Sequence, residues 1–186
     1  MNTSAWMVAA VVLAGMLIGC GSQTKYDLEL QRAHGALEAD FPELADKHLN
    51  AADEIAADRK ITPDGRATLL RAEARLQRGD PVGARELAQA VADDHVPGTR
   101  RRAQAEEILA KADIRQGRFA AAREHLVEAD RSYTAEEDTR RVMDLMHLVH
   151  GLEAFARGQT AEAKEHWRAI TDPELKVSIS MNADAN

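Results

Sequence analysis

The stretch Glu106–Asp130, EEILAKADIRQGRFAAAREHLVEAD, reads as one helix up to Gln116, a tight turn at Gly117-Arg118, and a second helix from Phe119. Its small alanines let two helices lie close, and glycine suits the left-handed position that ends a helix. The unit recurs when the chain is aligned on turns at Asp40, Gly79, Gly117 and Gly158, spaced by 39, 38 and 41 residues. Seven residues before each turn stands Ala33, Ala72, Ala110 or Gly151, and three before stands Leu37, Leu76, Ile114 or Phe155. Five after each turn comes alanine every time: Ala45, Ala84, Ala122 and Ala163. The second helices share a wording, ADKHL, ARELA, AREHL and AKEHW. A fixed period of this length with one helix pair per copy is the mark of a repeat protein.

These columns resemble the tetratricopeptide repeat, with a small residue in the first helix, glycine at the turn and alanine opposite in the second helix. Leu109, Ala110, Gly117, Phe119, Ala122, Leu126 and Ala129 carry the match. The resemblance implies an all-α solenoid of about four antiparallel helix pairs, a tetratricopeptide-like superhelix over residues 26–171. It also implies a concave groove, lined by the first helices, that takes partner peptides.

The N-terminus, MNTSAWMVAAVVLAGMLIGC, holds an apolar run from Ala5 to Ile18. That is short for a bilayer span and suits a signal-peptide core. The run ends Leu17-Ile18-Gly19-Cys20, which resembles the lipobox of bacterial lipoproteins. The resemblance implies a signal peptide over 1–19, an acylated Cys20, and a short linker over 20–25. Cys20 is the only cysteine, so no intramolecular disulfide can form. The net charge of −7 argues against nonspecific nucleic-acid binding and against a polybasic grip on anionic lipid, so the membrane anchor would come from acyl chains. Gly21 and Ser22 stand where related lipoproteins kept at the inner membrane often carry Asp. That implies the bacterial envelope, at the periplasmic face of the outer membrane.

Cap and proline signals order the remainder. Asp40-Phe41-Pro42-Glu43, Thr62-Pro63-Asp64 and Asp80-Pro81 read as helix starts, and Val96-Pro97-Gly98-Thr99 as a break between pairs. Thr134-Ala135-Glu136-Glu137 reads as a capping box opening a long helix that runs to about Arg157. Residues 172–186 form a tail, in which only Lys176–Met181 alternates like a strand.

Chemistry is sparse. His48, His125 and His166 share one offset, eight after the turn, which predicts a structural role repeated along the chain. Met143, Met146, His147 and His150 lie along one side of a helix as a weak soft-metal ligand set, and no Cys-x-x-Cys completes it. No nucleophile elbow, Walker loop or dinucleotide fingerprint occurs, which predicts a non-enzyme without a cofactor. Glu106-Glu107 and Glu136-Glu137 read as solvated surface pairs, and Arg100-Arg101-Arg102 as a basic edge.

What remains is a binding surface. The groove positions include Leu69, Glu73, Glu107, Lys111 and Arg115, and the fourth pair adds an apolar stripe of Leu145, Leu148, Leu152 and Phe155. A stripe of that kind on a terminal repeat predicts partner capture or self-association into a homo-oligomer. The expected role is a membrane-anchored scaffold for other envelope proteins or peptides. The alternative is a periplasmic metal or small-ligand binder that uses the Met/His face.

Overall fold

All four turn residues adopt positive φ: Asp40 at 59°, Gly79 at 76°, Gly117 at 70° and Gly158 at 76°. At Gly117, the amide of Arg118 donates to the Asp113 carbonyl at 2.9 Å and that of Gly117 to Ile114 at 3.0 Å. The same pair of bonds closes the helices ending before Asp40 and Gly158. This six-to-one and five-to-two pattern satisfies carbonyls that a helix end would otherwise leave open. At Asp40 a short polar side chain tolerates the left-handed backbone that glycine supplies elsewhere.

The computed structural model describes residues 23–173 and 175–176, and all regular structure among them is helical. The helices are α1 (residues 23–38), α2 (Pro42–Arg59), α3 (Arg66–Gln77), α4 (Pro81–Asp94), α5 (Arg100–Arg115), α6 (Phe119–Ser132), α7 (Glu136–Ala156) and α8 (Thr160–Ala169). The expected signal peptide, Cys20 and residues 177–186 of the expected tail lie outside the described residues. The helix α1 already includes Gln23, so the described part of the expected linker is helical. No described helix is long and apolar enough to cross a membrane.

One expected cap forms as read, at Asp80, and another stands at Thr99, inside the stretch read only as a break between pairs. The Asp80 carboxylate accepts from the Gly83 amide at 2.9 Å, and the Thr99 hydroxyl from the Arg102 amide at 3.3 Å. Three helix starts differ. Asp40 is consumed by its turn, leaving Phe41 as an N-cap without a side-chain bond. The third helix opens at Gly65, with φ 82°, while Asp64 Oδ1 accepts from the Arg66 amide. The fourth long helix opens after Ala135, and no capping box forms. Three acids in its first turn, Glu136, Glu137 and Asp138, favour that end electrostatically instead.

The chain divides into two compact units that join in sequence at Arg78 and Gly79. In the first, Tyr26, Leu30, Ala33 and Leu37 of α1 pack with Ala45, Leu49 and Ala52 of α2 and Ala67 and Ala74 of α3. Polar bonds fasten the rim, with Gln77 Nε2 donating to the Leu37 carbonyl at 2.8 Å and Arg66 Nη2 to Asp27 at 2.6 Å. In the second, Ala103 and Ala110 of α5, Ala122, Leu126 and Ala129 of α6, and Val142, Leu145 and Val149 of α7 form one cluster. The repeat columns are buried. Every alanine five after a turn is fully buried, as are Ala33, Ala72 and Ala110 seven before.

Candidate functional site

The shared histidine offset acquires a partner in three dimensions. His48 Nδ1 lies 2.7 Å from Glu29 Oε2, and His125 Nδ1 lies 2.7 Å from Glu106 Oε2. Each acid stands eleven residues before its turn, on the first helix of its pair. Hydrogen bonding from His48, then the charge of Arg32, lowers the Glu29 carboxyl against the opposing effect of burial. At His125 a second acid adds to the first, with Asp113 Oδ2 3.6 Å from Nε2. Asp113 is fully buried, and its other oxygen accepts from Arg85 Nη1 at 2.6 Å and Arg118 Nε at 3.0 Å.

In the fourth pair the acid column holds His147, so imidazole faces imidazole. His147 Nδ1 lies 3.4 Å from His166 Nδ1, and the His150 ring stacks on His166 with centroids 5.2 Å apart. Burial holds His150 below the ordinary imidazole value, and the charges of His166 and Arg123 push it the same way. Size is rearranged here too. Leu49 and Leu126 occupy the position nine after the turn and share their cores with Ala33 and Ala110, whereas Trp167 fills it against Gly151. A Cβ on Gly151 would stand 2.1 Å from Trp167 Nε1, so the glycine exists to admit the indole. Phe155 leans against the same ring, at 5.8 Å between centroids, and remains 43% exposed. Beyond α8, the buried Asp144 carboxylate accepts from the Thr171 amide and hydroxyl, both at 2.7 Å.

A groove runs between α6 and α7. It is lined by Ala120, Val127, Met143 and Met146, together with Arg123, Glu124, Arg131 and His150. Val127 and Met143 are both more than two-fifths exposed. The Met/His set read from the sequence is therefore divided. Met143, Met146 and His150 line this groove, while His147 bonds to α8. Among the described residues no group of three or more His, Cys, Asp or Glu side chains is arranged to hold a metal ion.

The remaining predicted residues take other places. Glu106 and Glu107, expected as a solvated pair, are both only 5% exposed. Arg141 Nε and Nη2 each donate to Glu107 at 2.9 Å, the Tyr133 hydroxyl bonds to it at 3.1 Å, and Lys111 Nζ approaches to 3.2 Å. Burial alone would raise the Glu107 carboxyl, but Lys111 and Arg141 outweigh it and lower it to about 2. Burial followed by the Glu107 charge raises the Tyr133 hydroxyl. Glu107 thus serves the fold, as do Leu69 and Leu145, both buried. Glu73, Leu148 and Leu152 are half-buried, Leu148 against the α5–α7 core, and Arg115 is exposed. The expected continuous stripe is reduced to Phe155 at one end, and Val127 and Met143, across the α6–α7 groove, supply the larger free apolar surface.

Two features escaped the sequence reading although signals existed. The column Glu29, Thr68, Glu106, His147 was available to be set against His48, Leu87, His125, His166, nineteen residues on in each case. The exchange of Ala/Leu for Gly/Trp was equally visible. Comparisons with family models, curated proteins and solved structures give no match to this chain. The functional reading rests on the residues described above.

Proposed function

We propose that this chain is a non-catalytic, lipid-anchored adaptor of the bacterial envelope, held through Cys20 at the periplasmic face of the outer membrane. Its helix pairs would stack as a tetratricopeptide-like superhelix and hold other envelope proteins together. The left-handed turn residues and the buried alanine columns support that arrangement. The observation that carries the binding role is the α6–α7 groove, where Val127 and Met143 remain exposed on either side of the half-buried Met146. Methionine adapts its shape to a ligand, and a groove between two helices suits the apolar face of a third. The proposed ligand is an amphipathic helical segment of an envelope protein.

Photocrosslinking from position 120, which lines the same groove, in the native envelope tests this reading. Val127→Glu with Met143→Glu is expected to reduce the crosslinked product tenfold or more while helix content and melting temperature hold. Unchanged crosslinking would overturn the groove. The anchor has its own test: Cys20→Ala should abolish acylation and detergent partitioning, and a mutant that still fractionates with membranes would remove the lipobox reading.

A further inference from the structure

We infer, resting on the groove proposed above, that its ligand is α6 of a second copy of this chain, docked antiparallel about a two-fold axis. The outward face of α6 carries Ala120, Glu124, Val127 and Arg131, spaced four, three and four residues apart, and all four are exposed. That spacing is the seam of a helix that packs along a second helix. Across the groove, Met143 of α7 is exposed and lines the same surface.

The charges on this seam single out a copy of the chain itself. Among the described residues Glu124 is ion-paired with nothing, and Arg131 is 71% exposed with one 3.4 Å contact to Glu128. Arg123, by contrast, is already neutralised within the chain by Glu153 of α7. Glu124 and Arg131 stand seven residues apart, with Val127 and Glu128 midway between them. Seven residues are two helical turns, about 10.5 Å along the axis. In an isologous interface the same patch of each copy meets, so every contact between unlike residues occurs twice. Two α6 helices laid antiparallel about that midpoint set Glu124 of each copy opposite Arg131 of the other. A parallel pairing in register would set glutamate on glutamate and arginine on arginine, so the seam rejects it. Val127 then meets its own copy near the axis, and Met143 adapts its shape to cover the joint. Exposed ion pairs contribute little each, so the apolar contact supplies affinity while the two charge pairs fix direction and register. One helix length buries less than a standard interface of about 1,600 Å², which makes the dimer weak and reversible.

Sedimentation of the full-length chain in detergent, over a concentration series, should show a reversible monomer–dimer equilibrium. Glu124→Arg sets arginine against arginine at both contacts, and Arg131→Glu sets glutamate against glutamate, so each alone should weaken the dimer tenfold or more. An equimolar mixture of the two variants should recover a heterodimer, and the double variant should self-associate like the wild type. Recovery in the mixture also shows that both variants are folded. Failure of the mixture to recover, or undiminished association of either single variant, would overturn the two-fold contact. The groove itself has a separate outcome. A wild-type chain that stays monomeric yet crosslinks from position 120 to a different envelope protein overturns the dimer and keeps the groove. A monomer without any crosslinked product removes both.

Discussion

The third and fourth helix pairs share one template and hold it together by opposite means. Between α5 and α6, His125 lies between two carboxylates, and the adjoining Glu107, with Lys111 and Tyr133 beside it, reaches across to Arg141 of α7. Between α7 and α8, imidazole meets imidazole and an indole fills a notch left by glycine. Charge neutralises charge in the first case. In the second the polar groups are alike in kind, and shape carries the contact. The columns of a repeat therefore set which positions touch, while the residues placed in them decide how the contact answers to protons, ions and mutation.

The largest expected effect attacks the charged side of this contrast. Glu107→Ala strands Arg141 and Tyr133 and should cost about 3 kcal/mol, the low end of what breaking a buried pair removes, because Arg141 is partly exposed. Urea unfolding would show it. A loss below about 1 kcal/mol, the scale of a surface pair, would mean that the cluster is ornamental to the third pair.

Next come the shape contacts. Ala122 is fully buried, so Ala122→Leu should overpack α5 against α6 and cost about 1–3 kcal/mol. Ala120→Leu, on the exposed groove side, should shift stability by less than about 0.5 kcal/mol. Equal effects at the two positions would refute the contact register. In the fourth pair, Gly151→Ala gains helix propensity of about 1 kcal/mol but drives a methyl into the indole, for a net loss of about 1–2 kcal/mol. Adding Trp167→Leu should recover much of that loss, and a strictly additive double mutant would deny the coupling.

The smallest effect is the sharpest discriminator. His150 is held below its ordinary value of 6.5, so the folded state binds fewer protons there than the unfolded chain. Its contribution to stability is complete above that value and diminishes as pH falls through it. Glu107, lowered from 4.5 to about 2, contributes fully above 4.5 and loses its effect only between those values. Hydrogen exchange should therefore loosen α7–α8 as pH falls below 6.5, while α5–α6 stays protected as long as pH remains above 4.5. Simultaneous loosening of both would erase the distinction.

How much of this was legible in the sequence follows from the length scale of each demand. A left-handed turn or a close helix contact constrains a single position, so Gly117 and Ala122 announce themselves. Buried charge depends on a partner far along the chain. Glu107 reads as solvated until Arg141, thirty-four residues away, arrives beside it. The α7 leucines posed the same difficulty, since periodicity marks an apolar side without saying how much of it α6 and α8 will cover. The histidine column was noticed, but its meaning lay in a second column that becomes relevant only once two helices are laid antiparallel. The all-helical class was legible throughout, and helix starts were least so where backbone geometry, as at Gly65, took precedence over the nearby proline.

The notch at Gly151 also governs the order in which this contact can be assembled by mutation. Starting from the alanine–leucine pair of the third repeat, replacing alanine with glycine first leaves a methyl-sized gap and loses about 1 kcal/mol, a step the fold can survive. Replacing leucine with tryptophan first would press the indole onto a methyl within 2.1 Å and force the helices apart. The two changes are thus permissive in one direction and obstructive in the other. A contact reached through such a path is also costly to leave, because once Trp167 is present any side chain larger than hydrogen at Gly151 must displace the indole.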